Sequence, residues 1–202
     1  MNRPRPGAPQ GTGAPGARTA GRPGEVRLIG GLWKRSKLPV PAAPGLRPTP
    51  DRVRETLFNW LGQDLVGWRV LDAFAGSGAL GFEAASRGAS QVLLLEQNPA
   101  LVASLQASRL RLRADRLQVQ RADALAWMAR APAAGFELVL LDPPFDAGLS
   151  ESALRLALPL LVPGGFLYLE AAAPLPSLPP GLHTHRGLRA GTVHAQLLQR
   201  TG

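Results

Sequence analysis

The sequence predicts an α/β fold built on a mostly parallel sheet with helices on both faces and an antiparallel hairpin at its end. Two observations carry this. Five short runs rich in Val and Leu, at 69–74, 91–96, 117–121, 136–141 and 165–170, alternate with helical stretches at about 78–87, 98–113, 123–130 and 149–161. Strands that are apolar throughout, each followed by a helix, imply parallel pairing with both faces covered. The last segment, 182–199, reads instead as a hairpin with Arg189-Ala190-Gly191 near its turn.

The length of 202 residues and the 45% hydrophobic content suit one such domain with a sizeable core. Residues 62–202 form the predicted catalytic domain, 25–61 an N-terminal hairpin and helix, and 1–24 a basic tail. The tail is mostly Gly, Pro, Ala and Arg, too poor in apolar surface to offset chain entropy, so disorder is expected there. The net charge is +9, and all of the excess lies in residues 1–54, which hold eleven basic residues against Glu25 and Asp51. Positions 55–202 are neutral. That asymmetry suits contact with a nucleic acid or another anionic surface.

Cysteine is absent, which excludes disulfides, thiolate metal sites and a cysteine nucleophile. His183, His185 and His194 lie scattered on the terminal hairpin without accompanying carboxylates, so no metal site is expected. No stretch approaches the roughly 20 apolar residues of a membrane span, and the N-terminus lacks the apolar core of a secretory signal. A cytoplasmic protein, acting as a monomer and without membrane partners, is expected.

In the N-terminal extension, EVRLIGGLWKRSKLPVP reads as two short strands around Gly30-Gly31, with Trp33 among basic residues. A helix is predicted from Thr49, with Pro50 just after it, to Leu61; Asp51 and Glu55 suit its first turns. Val53, Leu57 and Leu61 recur at helical spacing and form its buried stripe. Arg47, Arg52 and Arg54 near the helix start are candidates for phosphate contact, with Thr49-Pro50-Asp51 the alternative of a plain cap.

The first predicted strand of the sheet runs into Asp72-Ala-Phe-Ala-Gly76-Ser-Gly78-Ala-Leu-Gly81. Gly76 and Gly78 allow a tight turn close to a ligand, and Gly81 allows the next helix to pack closely. On spacing alone this is also the dinucleotide pattern, with Glu96 where a ribose-binding acid would stand. Three features favour S-adenosylmethionine over a nicotinamide. Asp72 suits an ammonium group and repels a pyrophosphate; Asp123 ends the third strand, where it can accept from an adenine amino group; and the fourth strand ends in Asp142-Pro143-Pro144-Phe145, which has no role in hydride transfer. Phe74, Ser77, Gln97 and Ala124 complete the expected cofactor pocket. Capping of loops or helices is the competing reading of Asp72 and Asp123.

The tetrapeptide lies where such sheets bind ligands. Its prolines fix φ and remove two donors, which suits a rigid Pro143 carbonyl. An exocyclic base amine is a poor nucleophile because its lone pair is delocalised into the ring. Asp142 and the Pro143 carbonyl, accepting its hydrogens, would aim the lone pair at a sulfonium methyl. Phe145 offers a face for a flipped base to stack on.

These residues resemble the RsmD family of bacterial small-subunit ribosomal RNA guanine-N2 methyltransferases. The likeness runs from about Val26 to the C-terminus. Its most specific text is Arg27-Leu-Ile-Gly-Gly31, Leu38-Pro-Val-Pro41 and Arg47-Pro-Thr-Pro-Asp-Arg52-Val-Arg54-Glu55-Thr-Leu-Phe58-Asn59-Trp60-Leu61, joined to the glycine turn and to Asp142-Pro-Pro-Phe145. The resemblance implies a class I, Rossmann-like methyltransferase fold, S-adenosyl-L-methionine as donor, and 16S ribosomal RNA or the assembling small subunit as partner. It also implies RNA contact through Arg27, Trp33, Lys34, Arg35, Lys37, Arg47, Arg52 and Arg54. One departure is Leu32–Lys37, which keeps its charge but lacks the glycine that the family often shows there. A methyltransferase acting on adenine N6 and a non-catalytic RNA-binding assembly factor of the same fold are the alternatives.

Overall fold

The computed structural model describes residues 24–42, 49–144, 148–175 and 177–202. The basic tail, Arg47 and Phe145 lie outside them. The chain runs β1 (Gly24–Arg27), β2 (Lys37–Val40), α1 (Asp51–Trp60), β3 (Arg69–Asp72), α2 (Ala79–Ser86), β4 (Gln91–Glu96), α3 (Pro99–Leu112), β5 (Leu117–Arg121), α4 (Ala124–Met128), β6 (Phe136–Leu141), α5 (Ser150–Ala157), β7 (Leu161–Ala171), β8 (Leu182–Ala190) and β9 (Val193–Arg200). Seven strands form one sheet in the order β5-β4-β3-β6-β7-β9-β8. Its first five strands pair in parallel, and β9 pairs antiparallel with both β7 and β8. The strand order reverses between β3-β4 and β6, so the crevice at the carboxyl ends of β3 and β6 is the natural ligand site of such a sheet.

The sheet interior matches the sequence expectation; the element ends do not. The helix predicted to begin at Thr49 starts at Asp51, with Pro50 in the capping position and no side-chain cap. The helix predicted to reach Leu161 stops at Ala157, followed by one tight turn over 158–160. Pro159 lacks the N–H that another α-helical turn needs, so Leu158, still helical at φ −53° and ψ −47°, leads into the tighter turn instead. β7 consequently starts at Leu161, earlier than expected, and slips register against β6 between Phe136 and Leu138.

The β1-β2 hairpin and α1 bury their apolar faces in the core of the main sheet. Leu28, Leu38, Val53, Leu57 and Phe58 share one buried cluster with Val70, Phe82, Leu94 and Leu140. The polar side of this docking is concentrated on Glu83 of α2, which is fully buried. Its Oε2 accepts from the amide of Ile29 (2.8 Å) and its Oε1 from that of Gly30 (2.7 Å). The same carboxylate pairs with Arg54 (3.5 Å) and Arg87 (2.9 Å). Ser86 extends the seam: its hydroxyl accepts from the Trp33 amide at 2.9 Å and donates to the Gly30 carbonyl at 2.6 Å. Gly31 sits at φ +71°, and a Cβ there would lie 1.9 Å from the Ser86 carbonyl oxygen, so only glycine permits this approach.

Replacing Glu83 with Ala strands two buried guanidiniums and two amides. The expected cost is about 3–5 kcal/mol in urea denaturation, with faster hydrogen exchange at Ile29 and Gly30. Unchanged stability would mean that the docking is apolar alone.

Candidate active site

Three acidic side chains gather at the carboxyl ends of adjacent strands. Asp72 ends β3, Asp142 follows β6, and Glu170 lies near the end of β7. In the sheet register Asp72 stands opposite Leu140, and Leu140 opposite Tyr168. Side chains alternate along a strand, so Asp142 shares the face of Leu140, and Glu170 that of Tyr168. Asp72 is 1% exposed and Glu170 2%. Carboxylates of one sign crowded out of water resist ionisation together.

Asp72 organises the glycine turn. Its Oδ2 accepts from the Gly81 amide at 2.9 Å, while its Oδ1 is buried with no hydrogen-bond partner among the described residues. Burial is the main cause that lifts its pKa to about 7; the Gly81 amide opposes the lift, the charge of Glu96 adds to it, and the Phe74 amide opposes it more weakly. Gly76 and Gly78 both take positive φ, 53° and 79°, and Gly78 occupies the left-handed position that starts α2. A Cβ on Gly78 would come within 2.6 Å of Leu105 and 2.7 Å of Phe82, so the turn depends on glycine for space as well as conformation. Glu96 grips the other side: Oε2 accepts from Gly76 (3.0 Å) and Oε1 from Asn98 (2.8 Å). Phe74 is half-buried against a second buried cluster that includes Leu71, Leu95 and Leu141, and Ser77 and Ala124 are buried beside the turn and at the start of α4. Asp123 is exposed and caps α4, its Oδ1 accepting from Ala126 at 2.8 Å. It also lines an open depression of about 490 Å³ with Gln97, Arg121 and Ala122.

Asp142 is linked to a residue that sequence reading assigned to a helix cap. The Thr49 hydroxyl donates to Asp142 Oδ2 at 3.3 Å. Burial, then the charges of Glu170 and Asp72, push Asp142 well above the usual carboxylate range, with the Thr49 bond pulling the other way. Glu170 accepts from the Tyr168 hydroxyl at 2.8 Å. Burial raises Glu170 too, with the hydroxyls of Tyr168 and Thr49 pulling the other way. Pro143 is buried and Pro144 exposed.

Arg54 requires correction. It was expected to contact RNA, yet its side chain is fully buried: Nε donates to the Thr49 carbonyl (3.3 Å), while Nη2 donates to the Arg27 carbonyl (2.9 Å) and to Asp51 (2.6 Å). Arg54 falls on the same helical stripe as Val53 and Leu57, where a long guanidinium reaches the buried Glu83. Arg27, Lys34, Arg35, Lys37 and Arg52 are exposed. Trp33 is half-buried and meets Phe82 edge-on at 6.4 Å, packing the hairpin on α2. Its turn sits at the Ser86 end of α2, whereas the glycine turn is at the other; eight helical residues separate the two by about 12 Å. Glu170 and Tyr168 were missed. The available signal was a glutamate closing an apolar strand next to the strand of Asp142.

The pattern of the family described as Conserved hypothetical protein 95 matches residues 26–199. The chain is 42% identical over 185 residues to Ribosomal RNA small subunit methyltransferase D of Escherichia coli strain K12, an alignment covering 88% of this chain and 91% of that one. The protein belongs to this family, the RsmD family. The Haemophilus influenzae protein of the same name is 41% identical over 162 residues, covering 78% and 84%. The solved structure of yhhF from Escherichia coli superposes with a TM-score of 0.80 at 39% identity, covering 88% of this RsmD-family chain and 99% of that one. The fold is that of class I methyltransferases, as the sequence led one to expect. Among the described residues there is no cluster able to hold a metal and no helix long and apolar enough to cross a membrane.

Because folding raises the Asp72 pKa from an ordinary value to about 7, the folded state binds more protons than the unfolded chain between those limits. Stability of the ligand-free protein is therefore expected to fall as pH rises from about 4 to about 7, and Asp72→Asn to remove that part of the slope in urea titrations at several pH values. An identical slope in the variant would contradict the assignment.

Proposed function

We propose that the protein is a ribosomal RNA methyltransferase that moves a methyl group from S-adenosylmethionine to the exocyclic N2 amine of a guanine in small-subunit (16S) RNA. One observation carries the reading: a buried carboxylate with a free acceptor oxygen at the end of β3 stands beside the Asp142-Pro143-Pro144 segment at the end of the neighbouring β6. The names of the RsmD relatives agree with its coarser part, methylation of small-subunit ribosomal RNA.

The site suits the donor. The unpaired Oδ1 of Asp72 provides a buried acceptor for an ammonium group, and the turn from Gly76 to Gly78 allows close backbone approach. Glu96 keeps lone pairs for ribose hydroxyls beyond the two amides that it accepts from. Asp123 retains one carboxylate oxygen beyond its capping bond, beside the depression that also exposes Gln97. When bound, the donor supplies a methyl on a sulfonium, so attack by nitrogen forms the C–N bond as the C–S pair returns to sulfur.

The protein's part is positioning. Asp142 and the Pro143 carbonyl accept the two amine hydrogens, localising the lone pair on nitrogen and orienting it. The Asp142 carboxylate then accepts the proton that the methylated nitrogen sheds. Phe145 follows directly and is assigned the stacking of the flipped base. The exposed Arg27, Lys34, Arg35, Lys37 and Arg52, with Arg47, are assigned to RNA phosphates, so the footprint reaches from the site along α2 to the hairpin turn.

Asp142→Ala is expected to lower methyl transfer to small-subunit RNA by at least about a hundredfold. Its RNA affinity should stay within about twofold of wild type, because phosphate contacts dominate binding. Filter binding and tritium transfer measure the two. Transfer at the wild-type rate in this variant would sink the proposal.

A further inference from the structure

The basic excess of the sequence lies in residues 1–54, yet the neutrality of the remainder is an average. Between Pro99 and Ala122 stand five arginines, and Asp115 is the one acid among them. Four of the five, Arg109, Arg111, Arg113 and Arg116, crowd the last turn of α3 and the short link to β5. The carbonyl end of a helix offers about half a negative charge, too little to match them. Among the described residues none of the four forms an ion pair with a carboxylate. Arg111, Arg113 and Arg116 are exposed; Arg109 is half-buried, its Nε without a partner among the described residues.

Their placement joins them to the hairpin. Leu101, Leu105 and Ser108 are buried, and at about 100° per residue Arg109 and Arg111 fall on opposite flanks of that stripe. Leu110 between them is 72% exposed, as that phase requires. From its flank Arg111 donates through Nη2 to the carbonyl of Lys37, the first residue of β2. Lys34 and Arg35, exposed in the turn just before it, also lack an ion pair among the described residues. On the other side the Arg116 carbonyl accepts from the Val92 amide at 2.9 Å, which seats Arg116 at the amino ends of β4 and β5. The cations therefore form one band from the hairpin turn, across the end of α3, to the sheet edge at β5. The 14 residues of α3 set this band about 20 Å from the strand ends that carry Asp72 and Asp142.

We infer that Arg109, Arg111, Arg113 and Arg116 form a second RNA surface, continuous with the hairpin turn, that holds phosphates of the substrate well away from the target base. A guanidinium presents paired N–H donors that match phosphate oxygens, and its charge does not depend on pH. Trp33 packs inward on Phe82, so this end of the molecule meets backbone rather than stacked bases. Contacts about 20 Å from the crevice need an RNA with a body beyond the target nucleotide, so the preferred substrate is a large folded RNA. This inference rests on the RNA-methylation reading above and adds to it the extent of RNA that the protein grips.

The test is filter binding of the full chain to protein-free 16S RNA over a range of salt, a readout that needs no activity. One variant carries Arg109→Gln, Arg111→Gln, Arg113→Gln and Arg116→Gln together; a second carries Lys at the same four positions. Each phosphate contact contributes roughly 0.7–0.9 to the slope of log affinity against log salt. The Gln variant is expected to lose about 3 from that slope and to bind at least about tenfold more weakly at low salt. The Lys variant keeps the charge and is expected to hold the wild-type slope. An unchanged slope in the Gln variant overturns the inference. So does a Lys variant as defective as the Gln one, because the loss then comes from structure and not from charge. Normal binding to free RNA with binding lost only to intact small subunits also overturns it, since the surface then meets a protein. If the slope is unchanged while Asp142→Ala abolishes transfer, the methylation reading stands alone. If the wild-type protein transfers no methyl but the slope falls as expected, that reading fails and the RNA surface stands.

Discussion

The buried carboxylate of Glu83 is the constraint on which the arrangement depends. One side chain accepts two amides of the hairpin turn and pairs with two guanidiniums, all out of water. A charge in that position is tolerable only while every partner is present, so the hairpin, α1 and α2 are held as a set. Arg54 then passes the constraint onward, because the guanidinium that meets Glu83 also bonds the carbonyl of Thr49, whose hydroxyl meets Asp142. The segment assigned to RNA contact and the residue assigned to the chemistry are thus joined by one chain of hydrogen bonds. Helix α2 is shared by both ends of this chain, holding the hairpin at Ser86 and meeting Asp72 at Gly81.

The same economy of placement accounts for the electrostatics. Adjacent parallel strands β3, β6 and β7 each bring an acid to their carboxyl ends, where the sheet stops supplying backbone partners. Asp72 is left with one unsatisfied oxygen and a pKa near 7, which costs stability as pH rises toward that value and suits a cationic ligand. Burial and then the charge of Glu170 raise Asp142, and the Thr49 hydroxyl that donates to it pulls the other way. Strain of this kind is expected where a site is prepared for charge that arrives with its ligands.

The fold was legible because its signals are local and periodic. Val- and Leu-rich strands followed by helices leave little choice but a covered parallel sheet, and the glycine turn after Asp72 is written in consecutive residues. The ends of elements were less legible, since Pro159 terminates α5 by denying one hydrogen bond inside an otherwise helical pattern. Residues whose roles depend on distant partners were not legible at all. Arg54 looks like its exposed neighbour Arg52, and only the position of Glu83, 29 residues away, buries it. Thr49 reads as a helix cap until the end of β6 arrives 93 residues later. Glu170 belongs to the site because β7 lies beside β6, an adjacency that the sequence suggests but does not attach to a function.

The central claim is that this pocket puts a methyl group on a guanine amine. Small subunits that lack the modification should be incubated with the protein and a donor carrying an isotopically labelled methyl, the RNA digested to nucleosides, and the labelled nucleoside identified by mass spectrometry. The account predicts the label on N2-methylguanosine from 16S RNA. Label on N6-methyladenosine, or none on any nucleoside, would contradict it.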